Sequence, residues 1–205
     1  MLSFRTILPN TLELLKQLSQ QPEFAPMRLV GGTALALQLG HRQSVDLDFF
    51  STKPFNQDAI ISIFRQIGKY TIVNKTKNIL QVELNGIKVD VVDYSCYDWI
   101  DEPICEEELT LASAKDIAAM KINAIIGRGT RKDFVDLYVL LQHFSLKEIM
   151  TFYHTKYPDY SEYRALLSLT YFEDADQQSM PIMFIPDKWE DMKSTIIDNV
   201  KQYQQ

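Results

Sequence analysis

The chain has 205 residues, 46% apolar, 23% charged and 11% aromatic, with 7 Gly and 8 Pro, a composition that excludes disordered, collagen-like and coiled-coil proteins. At this length a folded chain buries about 70% of the surface it exposes when unfolded, so the core requires neither a disulfide nor a structural metal. Twenty-one Lys+Arg against 27 Asp+Glu give a net charge of −6, which argues against a protein coated in nucleic acid along its length and confines any basic site to a local pocket.

Cys96 and Cys105 lie in an acidic stretch, and only His41, His143 and His154 accompany them. That is neither a zinc-ligand spacing nor a disulfide framework, so both thiols are read as free in a reducing compartment. No run approaches the length of a membrane span, and Met1 to Asn10 lack the apolar core of a signal peptide. A soluble cytoplasmic protein with no membrane partner is expected.

In chain order, the periodicity predicts a helix near Thr11–Gln20, a strand over Met27–Val30 and a short helix over Thr33–Leu39. A strand over Ser44–Phe50, a helix over Gln57–Ile67 and a strand over Tyr70–Val73 follow. Asn85-Gly86 separates Ile79–Leu84 from Ile87–Val92, and because this pair tolerates positive φ at both central positions it predicts a two-residue hairpin. The stretch from Tyr97 to Glu108, with Asp98, Asp101, Glu102, Pro103 and Glu106-Glu107-Glu108, is expected to be a solvated link. From Ser113 the period becomes helical, near Ser113–Ile126, Arg131–Phe144, Leu146–Tyr157, Ser161–Tyr171 and Lys188–Tyr203. Met180-Pro181 and Ile185-Pro186 make an extended passage before the last helix. The reading is α+β, with a mixed α/β first domain over residues 1–108 and a helical domain over 109–205.

The chemistry concentrates in Leu29-Val30-Gly31-Gly32-Thr33 and Ser44-Val45-Asp46-Leu47-Asp48-Phe49-Phe50. A strand that ends in Gly-Gly and enters a helix offers unhindered N–H groups at a positive helix end, where phosphate fits. Asp46 and Asp48, two apart on a predicted strand, project from one face while Val45, Leu47 and Phe49 project into the core. Two carboxylates so close call for a cation, and Mg²⁺ takes one or two carboxylates together with substrate phosphate oxygens. Asp90, flanked by Val89 and Val91, points away from the apolar face of its strand and supplies a third acid, as a two-metal phosphoryl-transfer site requires.

Alone, Asp-x-Asp is usually surface decoration and Gly-Gly a turn; their order along the chain carries the weight. Gly-Gly at a strand end, then thirteen residues, then Asp-Leu-Asp, then an apolar-Asp-apolar hairpin resembles the polymerase-beta-like nucleotidyltransferases. Further on, Lys121-Ile122-Asn123-Ala124-Ile125-Ile126-Gly127-Arg128, then Lys132-Asp133-Phe134-Val135-Asp136, then Phe172-Glu173-Asp174-Ala175 with Met180-Pro181, resemble the AbiEii/AbiGii toxin family within that superfamily. No Gly-x4-Gly-Lys-[Ser/Thr] loop competes, and Gly127-Arg128-Gly129 lies between helices.

By spacing alone, Lys121 and Arg128 share a helical face in a basic patch with Lys115, Arg131 and Lys132, and Lys132 with Asp136 reads as an ordinary solvated i,i+4 pair. The resemblance implies more: that Lys121, Arg128 and Lys132 serve the nucleotide and that Asp133 and Asp136 belong to the active centre. It implies a small mixed sheet with flanking helices, the nucleotidyltransferase core, followed by a helical domain, with the nucleotide in a cleft between them. Gly31, Gly32 and Thr33 would bind the triphosphate, and Asp46, Asp48 and Asp90 the Mg²⁺. The expected activity is transfer of an NMP from an NTP to an acceptor hydroxyl, RNA and in particular tRNA, by the toxin of a toxin–antitoxin or phage-defence system with a cognate antitoxin. Transfer to a protein hydroxyl and a catalytically idle nucleotide-binding module are the alternatives. Glu173, Asp174 and Asp176 are read as a structural turn, and the histidines as ordinary residues.

Overall fold

The computed structural model describes residues 1–205. The chain forms two compact units, one of residues 1–98 and 102–112, the other of residues 99–101 and 113–205.

The first unit is built on a seven-stranded mixed sheet in the order β3-β4-β5-β2-β1-β7-β6, from β1 (Met27–Val30), β2 (Leu47–Ser51), β3 (Tyr70–Lys75), β4 (Ile79–Leu84), β5 (Ile87–Asp93), β6 (Ile104–Glu106) and β7 (Leu109–Leu111). β2 runs antiparallel to β1 and parallel to β5, and β4 and β5 form the expected hairpin, with Asn85 and Gly86 both at positive φ. Alternation along the strands sorts the faces. Leu29, Leu47, Phe49, Leu80, Val82, Val89 and Val91 are all buried and share one face, onto which Phe24 and Phe64 pack their rings beside Phe49. Phe64 comes from α3 (Gln57–Ile67), whose first turn is capped by the Asn56 side chain. The helix α1 (Pro9–Ser19) opens on Pro9, which has no N–H to leave unsatisfied, and buries Leu14, Leu15 and Leu18. Between β1 and β2 lies α2 (Gly31–Leu39), so apolar that Ala34, Leu35, Ala36 and Leu37 are fully buried; Gly40 ends it in the left-handed conformation.

Two expectations are corrected here. The stretch read as a solvated link folds into the β6–β7 hairpin, whose turn is Glu107-Glu108 with both residues at positive φ. Leu109 and Leu111 are buried, and Leu111 pairs in parallel with Leu29; their apolar alternation outweighs the acidic surroundings, and the expected boundary at 108 falls inside this hairpin. The second concerns Ser44–Phe50. Only Leu47 onward joins the ladder, Ser44 bridges Ile7 by itself, and Val45 is 47% exposed rather than in the core.

The second unit is helical: α4 (Ala114–Gly127), α5 (Arg131–Leu140), α6 (Leu146–Lys156), α7 (Glu162–Leu169), a single turn α8 (Glu173–Asp176) and α9 (Trp189–Tyr203). Ser113, Ser145 and Ser161 cap their helices by accepting backbone N–H groups, Ser145 in a full capping box with Glu148. Ile117, Ile122, Phe134, Leu137, Ile149, Tyr153, Leu169, Met192 and Ile196 make the core. The segment Trp99–Asp101 belongs to this unit because Asp116 accepts from the Ile100 and Asp101 N–H groups, while fully buried Lys156 pairs with Asp116 at 2.8 Å and lies over the Trp99 ring.

Candidate active site

The site of the first unit lies on the sheet face opposite the apolar core. Register places Val30, Asp48, Asp90 and Gln81 side by side across β1, β2, β5 and β4. Residues opposed in a ladder project from the same face, so Asp48 and Asp90 are direct neighbours. Asp46 precedes β2 and lies outside the ladder. The charges of Asp46, Asp48 and Asp90 all act on Lys88, so the three acids share one neighbourhood.

The glycine turn lies against the same carboxylates. Gly31 opens α2 at φ +70°, and a Cβ built on it would stand 2.5 Å from Asp48 Oδ2. Only glycine fits, both for its backbone angle and for the approach of the carboxylate. The N-cap residue is Val30, whose side chain cannot cap α2, and a helix start of this kind is suited to an anion. A Cβ on Gly32 would meet Arg42 Nη2 at 2.2 Å, which places the buried Arg42 guanidinium against the turn; Arg42 Nη1 also donates to the Gln43 carbonyl. Thr33, read in the sequence as a triphosphate ligand, is buried, and its hydroxyl donates to the Asp46 carbonyl and sits 2.9 Å from Ser44 Oγ. It therefore fixes the backbone that carries Asp46.

Asp90 is held from two sides. Its Oδ2 accepts from Gln81 Nε2 at 2.8 Å and from the Lys88 ammonium at 2.9 Å, while its buried Oδ1 has no hydrogen-bond partner. Burial acts to lower the Lys88 pKa, but the hydrogen bond and charge of Asp90, reinforced by Asp48 and Asp46, hold it above the ordinary lysine value. These residues suit a hard divalent ion: the donor set is acidic, and Asp90 carries a buried carboxylate oxygen that lacks a partner. In this conformation no three acidic, His or Cys side chains are gathered closely enough to hold one ion, and the Asp90 carboxylate is engaged by Lys88 and Gln81. Arg42, Gln81 and Lys88 were not singled out from the sequence. The hairpin contained the signal for two of them: a two-residue turn sets Leu84 opposite Ile87 and, counting outward, Gln81 opposite Asp90, with Lys88 on the same face.

Of the residues expected from the second unit, Lys121, Asp133 and Asp136 form a buried cluster, which Arg128 joins from the surface with its side chain 55% exposed. Lys121 is buried, with Nζ 3.0 Å from Asp133 Oδ1 and 2.5 Å from Asp136 Oδ2, and both carboxylates are fully buried. Arg128 binds Asp133 through Nε and Nη2 at 2.8 and 2.9 Å, and the Thr130 hydroxyl donates to the same carboxylate. Burial pushes the Asp133 pKa up, yet Lys121, Arg128 and Thr130 outweigh it and hold the carboxyl well below the usual range. The solvated Lys132–Asp136 pair is thus corrected: Asp136 turns inward to Lys121 on α4, whereas Lys132 lines a separate cavity with Gln178, Ser179, Met180 and Pro181. Arg131 donates to the Ala175 and Asp176 carbonyls and stacks on Trp189, and Lys115 pairs with Asp101. Of the expected basic patch, Lys115, Lys121 and Arg128 each pair with an acid. Asp176 binds Trp189 Nε1 and Lys193, as a structural turn should.

Residues 13–204 match the family model described as the nucleotidyl transferase AbiEii toxin of the type IV TA system. The chain belongs to this family. It is a nucleotidyltransferase, as the sequence motifs implied, and its α+β fold is shared with solved nucleotidyltransferases. An uncharacterized Aquifex aeolicus (strain VF5) protein, aq_aa25, is 38% identical over 184 residues, 85% of this chain and 86% of that protein. Among solved structures, an H. pylori protein described as a candidate nucleotidyltransferase superposes at a TM-score of 0.58 with 16% identity over 95% of both chains. MenT4, a nucleotidyltransferase toxin of Mycobacterium tuberculosis H37Rv, gives 0.52 with 16% identity over 92% of this chain and 80% of its own. Both show the shared fold. No helix is long and apolar enough to cross a membrane.

Proposed function

We propose that this nucleotidyltransferase moves an NMP from an NTP to a hydroxyl of RNA, tRNA in particular, with Mg²⁺, as the toxin of a toxin–antitoxin or phage-defence pair. The observation that carries the chemistry is the pairing of Asp48 with Asp90 on one sheet face, beneath the glycine turn that opens α2. Support for the setting comes from the family and from MenT4, itself a nucleotidyltransferase toxin.

Gly31 and Gly32 present backbone N–H groups to the triphosphate, and Arg42 adds a fixed positive charge behind Gly32. Thr33 keeps Asp46 in place through its carbonyl. Asp46, Asp48 and Asp90 would hold the divalent ion, which supplies charge neutralisation at the transferring phosphoryl group. The acceptor hydroxyl forms a bond to the α-phosphorus, the bond from that phosphorus to the bridging oxygen of the β-phosphate breaks, and pyrophosphate leaves. Asp90, the third acid beside the pair, would take the hydroxyl proton.

A protein hydroxyl is the second acceptor to test, favoured by the net charge of −6 and by the pairing of Lys115, Lys121 and Arg128 with acids. Purified protein incubated with each α-labelled NTP, Mg²⁺, total RNA and cell lysate decides. Label in RNA is expected, most of it in tRNA; label in protein alone transfers the reading to the second acceptor, and no label with any NTP overturns nucleotidyl transfer.

A further inference from the structure

Lys88 stands where a carboxylate site needs a cation. It lies two residues before Asp90 on β5, on the same face, and its ammonium holds Asp90 Oδ2; the other oxygen, Oδ1, is buried, so the carboxylate must turn away from Lys88 to present itself to an ion. The two partners differ in freedom. Asp90 is buried on a central strand between β4 and β2, whereas the Lys88 side chain is 48% exposed on a flexible four-carbon stem. Lys88 can therefore leave Asp90, but Asp90 cannot leave the site.

Resting on the nucleotidyl-transfer reading above, we propose that Lys88 is the resident counter-ion of the carboxylate site and yields Asp90 to the divalent ion when metal and nucleotide arrive together. Without nucleotide, binding a free divalent ion must break the Lys88–Asp90 contact and leave an ammonium beside a doubly charged ion, a like-charge repulsion that opposes binding. The triphosphate removes that penalty by giving the freed ammonium a new anion. Lys88 thus makes metal affinity depend on nucleotide, and by reciprocity nucleotide affinity depend on metal to the same factor. Lys88 acts as a positioning residue, since it controls which way the Asp90 carboxylate faces.

The test is Mn²⁺ binding, read by the electron paramagnetic signal of the free ion, on the full chain with and without a non-hydrolysable NTP. Lys88→Met is expected to bind free Mn²⁺ about tenfold more tightly than wild type, the equivalent of ~1.4 kcal/mol, and to lose most of the nucleotide-dependent gain. Lys88→Arg should behave as wild type. In an Asp90→Asn background the Lys88→Met gain should vanish, because the contact it relieves is already gone. Unchanged or weaker Mn²⁺ binding by Lys88→Met, in a protein that still labels its acceptor, overturns the role of Lys88 alone. Absence of Mn²⁺ binding by wild type and variant, with and without nucleotide, overturns this inference together with the metal-dependent reading beneath it.

Discussion

Two lysines of this protein each meet a carboxylate at hydrogen-bond distance, and they could hardly be used more differently. Lys88 and Asp90 stand on a half-open sheet face, with a carboxylate oxygen left over. Lys121 is enclosed with Asp133 and Asp136, where Arg128 and Thr130 also serve Asp133. Burial decides the difference. A sealed pair cannot lose one member without stranding the other charge, which makes it rigid, whereas a half-open pair can exchange its cation. The first unit keeps its acids available, and the second spends its acids on holding α4 to α5.

The largest effect expected from this contrast is on stability. Lys121→Met removes the cation but leaves Asp133 and Asp136 buried, and breaking a buried pair in this way costs about 3–5 kcal/mol. Urea unfolding should show that loss as a lower midpoint. The basic patch read from spacing gave no hint of such a cost, because it placed Lys121 on one helical face with Arg128. A midpoint near wild type would break the contrast. The same cluster sets an acid limit: because the folded Asp133 pKa lies below its unfolded value near 4, its contribution is complete above that value and is lost as pH falls through the folded pKa. Helical circular dichroism followed down the pH scale should show Asp133→Asn less stable than wild type at neutral pH, the gap narrowing in acid.

Asp48→Asn should do the opposite, sparing the fold and removing the reaction. Deleting charge while preserving shape at a half-buried position should lower labelled-nucleotide transfer at least about 100-fold, the scale of losing one electrostatic stabiliser of a transition state. Urea unfolding should change little. Large destabilisation of Asp48→Asn would mean that its carboxylate is structural after all, and that the two clusters do the same work.

What was legible in the sequence follows the same division. Strand alternation was enough to put Asp48 and Asp90 each opposite the apolar face of its strand, and the Asn85-Gly86 turn to set Gln81 across from Asp90; the parallel pairing of β2 with β5, which makes the two acids neighbours, is not local and was not legible. Three other features escaped. The Glu107-Glu108 turn uses residues with no left-handed preference, so only the pairing of Leu111 with Leu29 reveals it. Asp136 was assigned to Lys132 by i,i+4 spacing, whereas its partner lies on the preceding helix, and contacts between helices are not local. Arg42 had no motif to mark it; its place against Gly32 comes from the loop between α2 and β2.

Gly31 tests how closely the fold and the open site are joined. Gly31→Ala forces a side chain into left-handed backbone, about 1–2 kcal/mol, and drives its Cβ toward Asp48 Oδ2. A modest fall in the urea midpoint with a disproportionate loss of transfer is expected. Equal activity in the variant would separate the glycine turn from the site.

The smallest expected effect is the sharpest test of the comparison, because it uses the same substitution at the other lysine. Lys88→Met also removes an ammonium from a carboxylate at 2.9 Å, so distance alone would predict the same damage as Lys121→Met. Exposure predicts otherwise. The Lys88 ammonium keeps much of its hydration in the folded state, Asp90 retains the Gln81 hydrogen bond, and half-exposed pairs contribute no more than about 1 kcal/mol. Lys88→Met should therefore unfold within that margin of wild type while Lys121→Met, measured beside it, shows the several-fold larger loss. If the two variants fall together, the Lys88–Asp90 contact is as structural as the sealed cluster, and a cation that cannot leave Asp90 cannot give way to metal.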